Sequence, residues 1–100
     1  MKFFTYQNNV LHAEHANLQT LADTFSTPCY VYSKHALVEA YQQFSQGFQG
    51  VGALVCFAVK ANPSLAILNL FAKLGAGFDI VSGGELARVL AAGGDPKKVV

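Results

Sequence analysis

The stretch ALVCFAVKANP, residues 53–63, ends a run of apolar residues in a lysine, Lys60. A primary amine at the tip of a buried strand is either a side chain reaching for water or a chemical group held in place. Partial burial disfavours the ammonium form, and the neutral amine is a nucleophile that condenses with carbonyl compounds. Alternation along a strand predicts Cys56, Ala58 and Lys60 on one face, with Val55, Phe57 and Val59 on the other. In GFDIVS, residues 77–82, the same rule groups Gly77, Asp79 and Val81 against Phe78 and Ile80. Lys60 and Asp79 are thus expected to face one interior from neighbouring strands. There the carboxylate would orient or neutralise the amine.

Other reactive residue types have structural explanations. Ser82 and Glu85 stand at S-x-x-E spacing, which predicts a capping box opening a helix. His12 and His15 form H-x-x-H with no third ligand nearby, so no metal is expected. Cys29 and Cys56 lie in separate apolar runs and read as reduced core residues rather than a disulfide. The GAG at 75–77 follows a helical stretch and has Ile80 where a third glycine belongs, so a dinucleotide fingerprint fails.

The elements that must position these groups follow from the pattern. Asn8-Asn9 predicts a hairpin within FFTYQNNVLHAEH, and Asn17 the cap of a helix through LQTLADTF. PCYVYS reads as a strand, and Ser33 as the cap of KHALVEAYQQF, with Leu37, Val38, Tyr41 and Phe44 on one face. After a QGFQGVG loop come a strand over 54–60 and a helix over SLAILNLFAKL closed by Gly75. GFDIVS is the next strand, GELARVLAA the next helix, and KKVV begins a further strand. Strands recurring roughly every 22–25 residues, with helices between, imply parallel strands joined by crossovers. An open doubly wound sheet and the opening of a (β/α)8 barrel both fit. A whole barrel takes about 250 residues, so only its first units could be present.

The hundred residues suffice for one small domain, and 52% hydrophobic with 13% charged residues describes a well-packed chain. A net charge of +1 on scattered lysines and arginines predicts neither nucleic acid nor an anionic membrane as partner. The uncharged stretch 40–59 is broken by glutamines and glycines and is not expected to span a bilayer. MKFFTYQNNV lacks the pattern of a signal peptide, and the two unpaired cysteines in apolar runs are those expected of a cytoplasmic protein.

Three motifs, TPCYVYS at 27–33, AVKAN at 58–62 and GFDIVSGGEL at 77–86, together resemble the diaminopimelate decarboxylase family. These are fold-type III, alanine-racemase-like enzymes dependent on pyridoxal 5'-phosphate. AVKAN alone is shared with ornithine and arginine decarboxylases, whereas the unbroken DIVSGGEL is closer to the diaminopimelate branch. The resemblance implies an α/β fold, the first β/α units of a pyridoxal-phosphate-binding TIM barrel. Residues 1–26 would be a hairpin and short helix, the hairpin belonging to a separate β domain in the full protein, and 27–100 the incomplete barrel. By position, Lys60 resembles the lysine that holds the cofactor and Ala58 the small residue beneath its ring. Asp79 resembles the acid beside the lysine, and Glu85 the acid of the following helix. Phe57 departs from the tyrosine more common there, on the face turned away from the pocket. The implied activity is decarboxylation of meso-diaminopimelate to L-lysine by a homodimer, with these residues inactive alone. Decarboxylation of ornithine, arginine or carboxynorspermidine, or cofactor binding without catalysis, are the alternatives.

Overall fold

A computed structural model describes residues 2–100. They form two compact units, one up to Tyr41 and one from Gln42 to Val100, with the division inside a helix.

In the first unit, β1 (Phe4–Gln7) and β2 (Val10–Ala13) pair antiparallel with Gln7 opposite Val10. Asn8 and Asn9 carry φ values of 51° and 63°, the two positive angles that a two-residue type I′ turn requires. A short β3 (Ala16–Asn17), not anticipated from the sequence, extends the meander beside β2. Asn17 then caps α1 (Leu18–Phe25), its side-chain oxygen accepting from the N–H groups of Gln19 and Thr20 at 2.8 and 3.1 Å. His12 turns its Nδ1 to the Val10 carbonyl at 2.9 Å. No cluster of three metal-ligating side chains occurs among the described residues.

The strand expected over PCYVYS is not formed. Residues 28–33 are irregular, and Cys29, Tyr30 and Tyr32 are exposed, so Cys29 is not a core residue. β-propensity becomes a strand only where a neighbour supplies ladder partners, and among the described residues none pairs with this stretch. Both cysteines are free thiols.

Ser33 opens α2 (Lys34–Gln46) as expected, its hydroxyl oxygen accepting from the Ala36 N–H at 3.1 Å. That hydroxyl, buried to 4% exposure, also donates to Glu14 at 2.8 Å. The His35 N–H donates to the same carboxylate at 3.2 Å, and the His35 ring bonds its other oxygen. Glu14 itself sits at φ 55° in the turn after β2. A carboxylate fed by these donors at a helix N-terminus is stabilised as the anion. The bonds from Ser33 and then His35 lower its pKa from 4.5 to about 2. Because the folded value lies below the unfolded one, this stabilisation is complete above about pH 4.5 and is lost as pH falls toward 2. Acid titration followed by circular dichroism is expected to show that loss in the wild type and a shallower dependence in Glu14→Gln. Along α2, Leu37, Val38 and Tyr41 are half-buried. Phe44, on the same face of the helix, is 59% exposed and packs edge-on against Phe48 at 5.2 Å.

In the second unit, β4 (Cys56–Ala58) and β5 (Gly77–Asp79) pair in parallel, joined by α3 (Leu65–Lys73). Gly75 (φ 93°) turns the chain out of α3, since only glycine takes that angle without a Cβ penalty. α4 (Gly83–Ala91) follows β5, and Val99 begins a further parallel pairing beside Phe78. Lys97 and Lys98 of the expected strand KKVV lie instead in a 3-10 turn over Pro96–Lys98, capped by Asp95. Val59, Leu68, Phe78 and Val89 are fully buried and form the centre of the core. Phe57 stacks on Phe71 with centroids 4.6 Å apart. At Gly77 the strands run so close that a Cβ would meet the Lys98 carbonyl at 2.5 Å and the Cys56 sulfur at 2.7 Å. The fold is α/β, as expected, with no closed barrel among the described residues. No helix among them is long and apolar enough to cross a membrane.

Candidate active site

The strand expected over 54–60 is shorter than its apolar run. After Ala58 the backbone tightens into a 3-10 turn, Val59–Ala61, in which the Asn62 N–H donates to the Val59 carbonyl at 2.9 Å. That bond replaces a ladder bond, so Lys60 rides on the turn and not on the strand. Strand parity therefore does not govern its direction. Val59, wholly buried, anchors the turn from beneath. Pro63 lacks an N–H and could not have continued the ladder in any case.

Lys60 and Asp79 nonetheless meet. Ala58 lies in register with Asp79 at the C-terminal ends of the two parallel strands. From the turn just beyond, the Lys60 Nζ reaches to 3.6 Å from the Asp79 Oδ2. In parallel α/β folds of either architecture this is the end where sites are built. The side chains are 53% and 44% exposed, so the partial burial expected for Lys60 is not supplied by these residues. A half-exposed ion pair of this kind contributes little to folding, typically less than about 1 kcal/mol. Its geometry is better explained as placing an amine beside a carboxylate.

Glu85 makes no hydrogen bond or ion pair with either residue. Ser82 caps α4, accepting from the Glu85 N–H at 3.1 Å, and the Glu85 carboxylate accepts from the Val81 N–H at 3.1 Å. The Glu85 bond falls on Val81, one residue before the cap, and not on the Ser82 N–H of a full capping box. It so fixes the backbone where β5 ends, two residues beyond Asp79. Nothing in the sequence singled out Arg88, and Asn62 was read only as part of AVKAN and of the strand's end. Asn62 accepts the Ser64 N–H at 3.0 Å, and the Arg88 Nε–H donates to the Pro63 carbonyl at 2.7 Å. Both bonds brace the segment that leaves the lysine turn. The i, i+3 spacing of Glu85 and Arg88 was visible, but a backbone carbonyl far along the chain leaves no trace in residue type.

The site sets a primary amine beside a carboxylate, with a small neighbour, Ala58, in register with Asp79. That donor set fits an aldehyde-bearing cofactor. The comparisons with known proteins agree. Residues 34–100 match the family model described as pyridoxal-dependent decarboxylase, pyridoxal binding domain. The diaminopimelate decarboxylase of Pseudomonas aeruginosa is 54% identical over 100 residues, which cover 100% of this chain and 24% of the relative. A crystal structure of an Aquifex aeolicus protein superposes with a TM-score of 0.91 at 41% identity, over 98% of this chain and 24% of that one. Diaminopimelate decarboxylase from M. jannaschii in complex with L-lysine superposes with a TM-score of 0.84 at 33% identity, over 96% of this chain and 24% of that one. The chain therefore spans about a quarter of the length of the curated relatives it matches. On the family match over 34–100, the chain belongs to the pyridoxal-dependent decarboxylase family, and the members it resembles are diaminopimelate decarboxylases.

Proposed function

We propose that these residues supply the lysine-bearing part of an enzyme that decarboxylates meso-diaminopimelate to L-lysine. The observation that carries the proposal is the Lys60 amine held 3.6 Å from Asp79 at the C-terminal ends of two parallel strands. Identity of 54% to a diaminopimelate decarboxylase supports the substrate, and the M. jannaschii relative crystallised with L-lysine supports the product. The fold reading is that 27–100 open a (β/α)8 barrel, with the hairpin of 1–26 joining a separate β domain in a homodimeric enzyme. A cytoplasmic location fits a biosynthetic enzyme of this kind.

Lys60 would hold pyridoxal phosphate through the cofactor's aldehyde carbon, with Ala58 leaving space beneath the ring. When bound, the cofactor supplies the electron sink that lets an amino acid lose its carboxylate as carbon dioxide. Asp79, 3.6 Å from the Lys60 Nζ, would orient that nitrogen at the strand ends. When not engaged with the cofactor, that amine would be available to carry a proton to or from the substrate. Glu85 contributes by holding the end of β5, and through it the direction of Asp79.

Two measurements on the full-length protein test the reading. Borohydride reduction after incubation with pyridoxal phosphate should leave the adduct on Lys60, located by peptide mass spectrometry. Carbon dioxide release should be fastest from meso-diaminopimelate among that compound, ornithine, arginine and carboxynorspermidine. Preference for one of the other three would reassign the substrate, and an adduct without turnover would mean a cofactor-binding protein. The 100 residues alone are expected to release none.

A further inference from the structure

Two hydrogen bonds from one helix reach the backbone behind both members of the Lys60–Asp79 pair. Glu85 accepts from the Val81 N–H at 3.1 Å, where the chain leaves β5 and Asp79. Arg88 donates to the Pro63 carbonyl at 2.7 Å, where the chain leaves the turn that carries Lys60. Residues three apart on a helix share a face, so these two side chains project from α4 on one side. We propose that α4 is a bracket for the site, and that Arg88 is a positioning residue that sets the reach of Lys60 through the Pro63 carbonyl. The inference rests on the cofactor-binding role given to Lys60 above.

The physical need for such a brace is local. Lys60 sits on a single 3-10 turn, a weakly bonded element that persists only with support. On its N-terminal side the support is Val59, fully buried. On its C-terminal side the chain passes through Asn62, Pro63 and Ser64 before α3 begins, and the Ser64 side chain makes no capping bond there. Proline contributes no N–H, so its carbonyl is its backbone handle. A hydrogen bond from a guanidinium is among the stronger kind, and at Nε it has a fixed direction. It orients the Pro63–Ser64 peptide and thereby the whole exit of the turn. Misplacement of a reacting group by about 1 Å can slow a reaction by about a hundredfold, so bracing of this sort has kinetic weight.

Arg88→Gln and Arg88→Met separate the bond from the charge. The glutamine amide nitrogen stands as many bonds from the backbone as the arginine Nε and keeps an N–H donor without the positive charge. Methionine keeps the length and removes the donor. Two readouts on the full-length protein decide the matter. Without cofactor, hydrogen exchange of the amides in 59–64 should speed up about tenfold in Arg88→Met and stay within about threefold of wild type in Arg88→Gln. With pyridoxal phosphate and borohydride, the rate of adduct formation at Lys60 should fall about tenfold in Arg88→Met and be largely retained in Arg88→Gln. Equal losses in both variants, or none in Arg88→Met, would overturn the bracket. If wild-type Lys60 takes up no cofactor, the function proposed above fails, while the exchange data still decide the role of Arg88.

Discussion

Replacing Lys60 by alanine in the full-length protein is expected to abolish cofactor attachment and to lower decarboxylation by roughly a thousandfold, within the range seen when a proton-transferring group is removed. The same change should leave the fold almost untouched. Lys60 is half exposed, its partner Asp79 nearly so, and neither belongs to the buried core. Surface substitutions of this kind usually move stability by no more than about 0.5 kcal/mol. Chemical denaturation and steady-state assay of one preparation make the comparison. A large kinetic loss beside an unchanged unfolding midpoint supports the proposed role. A matching loss of stability would mean that Lys60 acts structurally. Asp79→Asn should fall between, since the amide keeps the shape and loses the charge that pairs with the amine.

Phe78→Ala should produce the opposite pattern. Phe78 has no exposed surface and lies on β5 between its pairing with Phe57 and its bridge to Val99. Truncating a phenylalanine in such a place destabilises by about 3–5 kcal/mol, from lost transfer energy and the cavity left behind. Whole domains are stable by only about 5–15 kcal/mol, so a substantial part of the folded protein's margin disappears. The unfolding midpoint in urea should drop sharply at unchanged slope. Phe78→Leu, which refills much of the volume, should lose less than half as much. A decrease below about 1 kcal/mol for the alanine variant would contradict the packing described for β5.

What the residues disclosed in advance was mostly what they do to their own neighbours. Asn8-Asn9, the Asn17 and Ser33 caps, the glycine ending α3 and the Ser82–Glu85 spacing all act within a few positions, and each was readable from type and order alone. Lys60 was legible because a long charged side chain after an apolar run is chemically out of place. Its pairing with Asp79 was foreseen from alternation on two strands, yet the 3-10 turn shows that alternation had already ended at Ala58. The expectation was met for an incomplete reason: register between β4 and β5 brings the ends together, and the flexible lysine stem does the rest. The misses share a different cause. PCYVYS has the composition of a strand but no ladder partner, and composition carries no information about partners. Glu14 acts across 19 and 21 positions on the Ser33 hydroxyl and on His35, and Arg88 across 25 on a backbone carbonyl. No local pattern marks such a bond.

The crossover from β4 through α3 to β5 also bears on how the site can be inherited. The amine, the carboxylate, the small residue beside them and both braces from α4 all lie between residues 58 and 88. The entropy of closing a loop grows only with the logarithm of its length, so bringing two strand ends together over one helix is a modest and self-contained step. Duplication, fusion or recombination that moved this one unit would carry the lysine with its carboxylate and their supports together. Other parts of a protein could then diverge without disturbing the amine and carboxylate paired here.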